Sequence, residues 1–326
     1  MEKIAFYGLG EQFERNIVRN KYVCEKLKKR VISGFMDRDK SGVDIEINNE
    51  HYRVLSLDEW SDYDVDKVFI TSVRYQNEIK SSLLQYGFRV EQIETLENLL
   101  FLLFDHMDRI FPCICEKGLE IGGPSAVFSY IYDRCRECDG VNFCTDTVWW
   151  KQGDSDNYIC ENRELGKMYI ADATNLSDIP DESYEFVMSS NNLEHIANPM
   201  KAVAEFYRVL KKNGILIIVV PRKYVNFDHD RLFTPFEHLL EDYRNHVAED
   251  DLSHLSEIIE KHDYDMDIPC GGKEQFVQRA YNNFDNRCLH HHVFDKKCLI
   301  QLFEYFNLEV LEFAETYSDY WIIGEK

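Results

Sequence analysis

The stretch GLEIGGPSAVF, residues 118–128, decides the fold predicted for the larger part of this 326-residue chain. An apolar strand ending at Ile121 leads directly into the turn formed by residues 122–125. Glycines lack a Cβ and let a backbone pass close to a ligand, while the N–H groups at such a turn suit the ligand's polar end. We therefore predict a ligand-binding turn between a first strand and the helix that follows it.

Polar residues accompany the next two predicted strands. Asp139 in ECDGVNF lies near the roughly twenty-residue spacing at which a carboxylate meets both hydroxyls of a ribose. If Asp139 lies at the start of its strand instead of the end, Asn142 is the rival contact. Asp172 follows a third strand in MYIADATNL, where it could accept a hydrogen bond from an adenine amine beside the backbone of Ala173.

Three stretches occur in order along this part of the chain: LEIGGPS at 119–125, DATNLSDIPDESYEFVMSSNNLEH at 172–195 and FYRVLKKNGILIIVVP at 206–221. Together they closely resemble the class I S-adenosylmethionine-dependent methyltransferases, particularly the type-11 group. The resemblance implies S-adenosylmethionine as cofactor. The cofactor-binding residues that it implies are Glu120, Gly122, Gly123, Pro124, Ser125, Asp139, Asp172, Ala173 and Ser190.

Residues 1–95 predict a separate, small Rossmann-like unit of alternating strands and helices. Its first strand leads into Gly8 and Gly10, but Phe13 stands where a GxGxxG fingerprint has its third glycine. The stretches GLGEQFE, GFMDRDKSG and VFITSVRYQNEI resemble the N-terminal domain of sugar-modifying acyltransferases and nucleotide-sugar enzymes. That resemblance implies a nucleotide-sugar ligand near Gly8, Gly10 and Asp37, and a docking module is the alternative.

The predicted architecture is therefore α/β, with two Rossmann-like units joined by a connecting helix at 96–116. The second unit, 117–326, has a class I methyltransferase fold in which residues 224–295 interrupt the sheet before its closing strands. An insertion at that point would cover the cofactor, so we predict an acceptor lid. Basic residues available there to hold an anionic group are Arg222, Lys223, Arg231 and Arg287.

Nine of the eleven histidines lie between His195 and His292. Histidine suits the removal of a proton near neutral pH, so we predict His195 and His229 as catalytic residues, with a capping or structural role as the alternative. The run at 290–292, together with Asp228, Asp230 and residues 249–251, leaves a divalent metal site open. No complete ligand motif marks one, and we predict no metal ligand there or at Cys113, Cys115, Cys135 and Cys138.

The net charge and the length of the apolar runs disfavour some classes of function. The formal charge of -22, from 37 basic and 59 acidic residues, disfavours a nucleic-acid partner, and no apolar run could span a membrane. We expect a cytoplasmic enzyme with reduced cysteines, compatible with a homo-oligomer. The predicted activity is methylation of a small-molecule acceptor, in particular O-methylation of a sugar or nucleotide-sugar precursor in carbohydrate biosynthesis. The alternatives are a non-catalytic S-adenosylmethionine-binding scaffold and a metal-dependent enzyme that uses the histidine-rich segment.

Overall fold

A computed structural model describes residues 2–60, 64–151, 156–160 and 163–326. The chain divides into two compact units, each described here by itself. The first comprises Met1–Met107 with Glu315–Tyr317, and the second comprises Asp108–Ala314 with Ser318–Lys326.

The first unit is a six-stranded sheet with helices. Its strands are β1 Lys3–Tyr7, β2 Val31–Met36, β3 Asp44–Ile47, β4 Glu50–Leu55, β5 Lys67–Ile70 and β6 Ile93–Thr95. Its helices are α1 Glu11–Phe13, α2 Lys21–Leu27, α3 Gln76–Gln85 and α4 Leu96–Leu103. The strand order is β3-β4-β2-β1-β5-β6, parallel except for the β3–β4 hairpin.

In the first unit, the turn after β1 is held by hydrogen bonds to Asp37. Asp37 accepts hydrogen bonds from the backbone N–H groups of Leu9, at 2.6 Å, and of Asp39 and Lys40, at 2.9 and 3.0 Å. Phe13 is buried and packs edge-on against Phe6 and Phe35. The Asp37 carboxylate, which is predicted to bind the ligand, thus binds backbone groups of its own turn. The nucleotide-sugar site stays a prediction.

The second unit is an eight-stranded sheet with helices. Its strands are β7 Lys117–Ile121, β8 Glu137–Asn142, β9 Asn157–Cys160, β10 Arg163–Ile170, β11 Tyr184–Ser190, β12 Leu210–Pro221, β13 Glu309–Glu315 and β14 Asp319–Glu325. Its helices are α5 Met107–Ile114, α6 Ser129–Tyr132, α7 Pro199–Val209, α8 Phe236–Arg244, α9 Leu255–Lys261, α10 Lys273–Tyr281, α11 Asn283–Asn286 and α12 Lys296–Tyr305.

The strand order of this second sheet is β9-β10-β8-β7-β11-β12-β14-β13. The strands from β10 to β12 run parallel, while β14 runs antiparallel to β12 and β9 to β10. The apolar residues of β7, β11 and β12 pack against those of α7 and α12 and form the main core of this unit. These apolar side chains are almost wholly buried. The prediction of a mixed α/β protein with parallel-rich sheets is confirmed.

The predicted connecting helix at 96–116 differs in the structure, where α4 and α5 are separate helices. Phe104 adopts an extended backbone conformation and ends α4. Among the helices of the described residues, none has the length and apolar character needed to cross a membrane. The cytoplasmic location stays a prediction.

Candidate active site

A cavity of about 610 Å³ opens at the carboxyl ends of the central strands of the second unit. Residues at the ends of β7, β8, β10 and β11 line one side of it. Strand β7 has β8 on one side and β11 on the other, so the strand order reverses there. Ligands of open α/β sheets bind at such a reversal. The other side is lined by residues between 226 and 290, within the predicted lid segment.

The turn after β7 begins with two glycines and runs along the cavity. Gly122 has a φ of +82°, and a Cβ there would lie 2.6 Å from the side-chain amide of Asn192. A Cβ on Gly123 would lie 2.2 Å from the carboxyl group of Glu120. Pro124 and Ser125 continue the turn along the cavity wall. Only glycine fits at the first two positions, because a Cβ there would collide with these side chains.

Glu120 lies beneath this turn and does not line the cavity. It is fully buried, and its Oε2 accepts hydrogen bonds from the hydroxyls of Tyr132 and Tyr158, both at 2.6 Å. The Tyr132 hydroxyl in turn accepts the N–H of Ser125 at 2.8 Å. Burial raises the pKa of Glu120 to about 7, against the opposing effect of the two tyrosines. Glu120 therefore shapes the turn from inside.

Asp139 lies inside β8 and not at its end. Its carboxylate accepts the N–H of Lys167 at 2.8 Å and the hydroxyl of Tyr184 at 2.8 Å, and it pairs with Lys117 at 3.0 Å. Asn142 is the residue at the carboxyl end of β8, where it lines the cavity and donates to the carbonyl of Gly123 at 3.0 Å. The structure thus brings the rival residue, and not Asp139, to the cavity.

Asp172, Ala173 and Ser190 all line the cavity. Asp172 accepts the N–H and the hydroxyl of Thr174, at 2.8 and 2.7 Å. Arg287, from the predicted lid segment, pairs with Asp172 at 3.1 Å and with Glu249 at 2.9 Å. Burial raises the pKa of Glu249 to about 7, while Arg287 acts in the opposite direction.

Two histidines contact each other on the cavity wall. The rings of His195 and His290 lie edge to face with centroids 4.5 Å apart, and both line the cavity. His195 Nδ1 lies 3.1 Å from the carbonyl oxygen of Leu289, and burial lowers the pKa of its ring well below the usual value. A donating Nδ1–H leaves Nε2 as an acceptor.

His290 has the stronger electrostatic support. Its Nδ1 lies 2.5 Å from Asp228 Oδ2, and both side chains are buried. Burial opposes the charged imidazole, but the Asp228 carboxylate outweighs it and raises the pKa of His290. Burial likewise opposes ionisation of Asp228, yet His290 and Arg231 hold its pKa at about 2. Glu194, also on the cavity wall, is buried, and this burial raises its pKa to about 7.

His229 does not line the cavity, so the structure does not support its predicted catalytic role. Its Nε2 lies 2.8 Å from Asp263, and the ring is partly exposed. Arg231 is buried and binds Asp228 and the carbonyls of His290 and His291, so it is not available to an external anion. Arg222 and Lys223 do not line the cavity either.

Sequence reasoning missed Glu194, Arg279, His290 and Phe143 as cavity residues. Glu194 carried a usable signal, because it directly precedes His195. Arg279 carried none, since α10 is placed by the path of the long segment before it. It pairs with Asp267 at 3.3 Å, and both residues line the cavity.

All ten cysteines lie within the described residues, and none of them forms a disulfide there. None of the four considered as zinc ligands belongs to a potential metal-binding group of the described residues. The CxC and CxxC pairs are therefore separate thiols, with Cys135 and Cys138 buried.

The cavity fits the cofactor implied by the sequence on four points. Gly122, Pro124 and Ser125 of the turn line the cavity, and Asn142 offers an amide at the end of the next strand. Asp172 provides a carboxylate at the end of β10. The volume falls within the roughly 300–1,000 Å³ typical of small-molecule sites.

Residues 119–218 match the family model described as a methyltransferase domain. This match spans less than half of the chain and covers the strands that build the cavity. It confirms the prediction of an S-adenosylmethionine-dependent methyltransferase, with S-adenosylmethionine as the cofactor. No curated protein matches the sequence.

The chain also matches several solved structures at low sequence identity. An S-adenosylmethionine-dependent methyltransferase from Archaeoglobus fulgidus is 16% identical, with 71% of this chain and 94% of that chain covered and a TM-score of 0.36. One from Aquifex aeolicus is 11% identical, with 76% and 97% covered and a TM-score of 0.36. One from Mesorhizobium loti is 8% identical, with 64% and 90% covered and a TM-score of 0.38. The resemblance of residues 1–95 to sugar-modifying acyltransferases stays a prediction.

Proposed function

We propose that this enzyme methylates a hydroxyl group of a small-molecule acceptor of the sugar or nucleotide-sugar class. The observation that carries the proposal is a single cavity with the glycine turn on one wall and the His195–His290 pair on another. Methyl transfer is an in-line displacement, so holding donor and acceptor in line supplies much of the rate. A cavity base then removes the hydroxyl proton.

The cofactor contacts proposed for this wall follow from the cavity lining. The turn at 122–125 holds the amino-acid part, Asn142 binds the ribose hydroxyls, and Asp172 with Ala173 binds the adenine. Ser190 lies toward the reacting end. When bound, the cofactor supplies an electrophilic methyl group on a sulfonium. Asn142 replaces Asp139 in this assignment because Asp139 is engaged inside the sheet.

His290 is the proposed base, and Asp228 positions it. The carboxylate at 2.5 Å fixes one imidazole nitrogen and stabilises the ring after it accepts the proton of the hydroxyl. His195 remains uncharged because burial lowers its pKa, and its ring packs edge to face against His290, so it positions the base. Predicted as a base from the sequence, His195 keeps a place in the site, with a changed role.

The segment 224–295 is the proposed acceptor lid. It contributes Phe227, Arg279 and Arg287 to the cavity wall. An aromatic ring and guanidinium groups suit an acceptor that combines a sugar ring with a phosphate. The carbohydrate class also rests on the resemblance of residues 1–95, and it is the part of the proposal that an acceptor panel tests first.

The acceptor test incubates the enzyme with S-adenosylmethionine and a panel of nucleotide sugars, free sugars, phenols and amines. We expect S-adenosylhomocysteine to form with the nucleotide sugars, with a matching gain of one methyl group in the product mass. Turnover on phenols or amines alone contradicts the carbohydrate assignment.

The base is tested with His290→Gln and the matched control His229→Gln. We expect the first to lower kcat about 10²- to 10⁴-fold, the usual contribution of general base catalysis. The control lies outside the cavity and should retain the parent rate. In the parent enzyme kcat/KM should rise with pH as His290 loses its proton, and this limb should disappear in His290→Gln. A parent-like rate and pH profile for that variant would exclude His290 as the base.

A further inference from the structure

A second histidine cluster lies beside the cavity without lining it. His238 and Asp242 come from α8, His254 immediately precedes α9, and His292 lies before α12. One ligand atom from each of these four side chains lies within 4.8 Å of the other three. Three chain segments that are far apart in sequence thus converge on one point.

The distances within this cluster suit a single ion. His238 Nε2 lies 3.0 Å from His254 Nε2 and 3.2 Å from Asp242 Oδ2, and the nitrogen of His292 left for an ion is Nδ1, because its Nε2 lies 3.2 Å from the carbonyl oxygen of Ala197. Zinc bonds nitrogen and oxygen at about 2.0–2.2 Å, which separates tetrahedral ligands by about 3.3–3.6 Å. Small movements of the rings would bring all four ligand atoms to that spacing.

Two buried atoms in the cluster need a partner. Within the described residues, Asp242 Oδ2 and His292 Nδ1 make no hydrogen bond, and the nearest ion-pair contact of the Asp242 oxygen is with His238 Nε2 at 3.2 Å. Asp242 is 8% exposed and His292 is 1% exposed, so water reaches neither atom easily. A buried polar atom left without a partner costs about 1–3 kcal/mol, so such atoms need an explanation. A bound cation supplies one at this position.

The backbone around the cluster holds two of these ligands in place. His292 Nε2 lies 3.2 Å from the carbonyl oxygen of Ala197, the kind of bond that fixes the orientation of a metal-binding imidazole. Asn198 donates through its side-chain amide to the carbonyl oxygens of Asp242, at 3.1 Å, and Val247, at 3.2 Å. The cluster is therefore tied to the turn that follows His195.

We propose that His238, Asp242, His254 and His292 bind one divalent transition-metal ion, with zinc as the favoured metal. Three imidazoles and one carboxylate match zinc, whose sites with four protein ligands are structural. The ion fixes the segment 236–292 to the turn at 196–198 and so holds one wall of the cavity. His238 is 30% exposed in its side chain, which gives an entry path.

The test uses full-length protein without a histidine tag, stripped with a chelator and dialysed. Zinc binding is measured by competition with a chromophoric chelator, and the protein reloaded with Co²⁺ is examined for the visible absorption of tetrahedral coordination. We expect one ion per chain and a higher Tm after reloading. His254→Gln and His238→Gln should each weaken zinc binding more than a hundredfold and abolish the tetrahedral absorption.

The control is His229→Gln, which removes a histidine of the same segment that lies outside the cluster. It should bind zinc like the parent. Substitution of the partly exposed His238 keeps the test valid if His254→Gln fails to fold. Substoichiometric zinc in the parent, or equal zinc affinity in parent and His238→Gln, overturns the proposal.

Discussion

The substitution Gly123→Ala tests the glycine turn at the point where the structure leaves least room. The new Cβ would lie 2.2 Å from the Glu120 carboxyl group and 2.3 Å from the Tyr158 hydroxyl. Neither group can retreat easily, because Glu120 is fully buried and accepts bonds from Tyr158 and Tyr132 at 2.6 Å. We therefore expect the turn to move instead of the carboxylate.

Overpacking of this kind costs about 1–3 kcal/mol, and 1.4 kcal/mol corresponds to about a tenfold change in affinity. If the cost falls on the turn, S-adenosylhomocysteine should bind about 5- to 150-fold more weakly to Gly123→Ala. Isothermal titration calorimetry measures this directly. The matched control is Gly10→Ala, whose Cβ would meet no atom within 4 Å, and it should bind like the parent. Parent-like binding by Gly123→Ala would refute the proposed role of the turn.

Three further changes have defined outcomes. Tyr158→Phe removes one donor to the buried Glu120, so chemical denaturation should show a loss of about 1–3 kcal/mol, and an unchanged midpoint would argue against this bond. For Glu194 the folded pKa of about 7 exceeds the unfolded value, so its contribution to stability is complete at low pH and is lost as pH rises through 7. Glu194→Gln should therefore lose less Tm than the parent between pH 5 and 8, and equal losses would contradict the raised pKa. Arg279→Ala should raise KM for a phosphorylated acceptor about tenfold and leave KM for its unphosphorylated analogue unchanged, as measured by initial rates; equal effects on both would exclude phosphate recognition.

The glycine turn and the strand ends could be read from the sequence because local chemistry controls them. Gly122 and Gly123 leave no room for a Cβ against the side chains of Asn192 and Glu120, and Asp172 and Ser190 lie at or just after the ends of their strands. Parallel strands bring their carboxyl ends to one edge, so these positions converge whatever the loops do. The fold class follows from the same alternation of strands and helices.

The position of Asp139 depends on where its strand begins, which sequence patterns fix only loosely. The run ECDGVNF contains both a carboxylate and an amide, and β8 extends from Glu137 to Asn142. Asp139 then pairs with Lys117 and Tyr184 inside the sheet, an interaction between distant segments. No local pattern predicts such a pairing.

The roles of the histidines also depend on contacts between distant segments, which the sequence does not predict. The sequence predicts a catalytic role for His229 and not for His290, and the positions of the two separate only when the segment 224–295 is folded. His290 then meets Asp228, 62 residues away in the chain, while His229 meets Asp263 near the surface. The four-residue cluster around Asp242 likewise arises from the paths of three segments and not from a ligand motif.

Calorimetric titration of S-adenosylhomocysteine into the parent protein, Asn142→Ala and Asp172→Asn tests the central claim most directly. Asn77→Ala, on an exposed face of the first unit, is the control. We predict a single binding site in the parent, binding at least tenfold weaker in both cavity variants, and parent-like binding in the control. Absence of binding by folded parent protein, or equal affinity in all four proteins, would contradict the assignment of this cavity as the cofactor site.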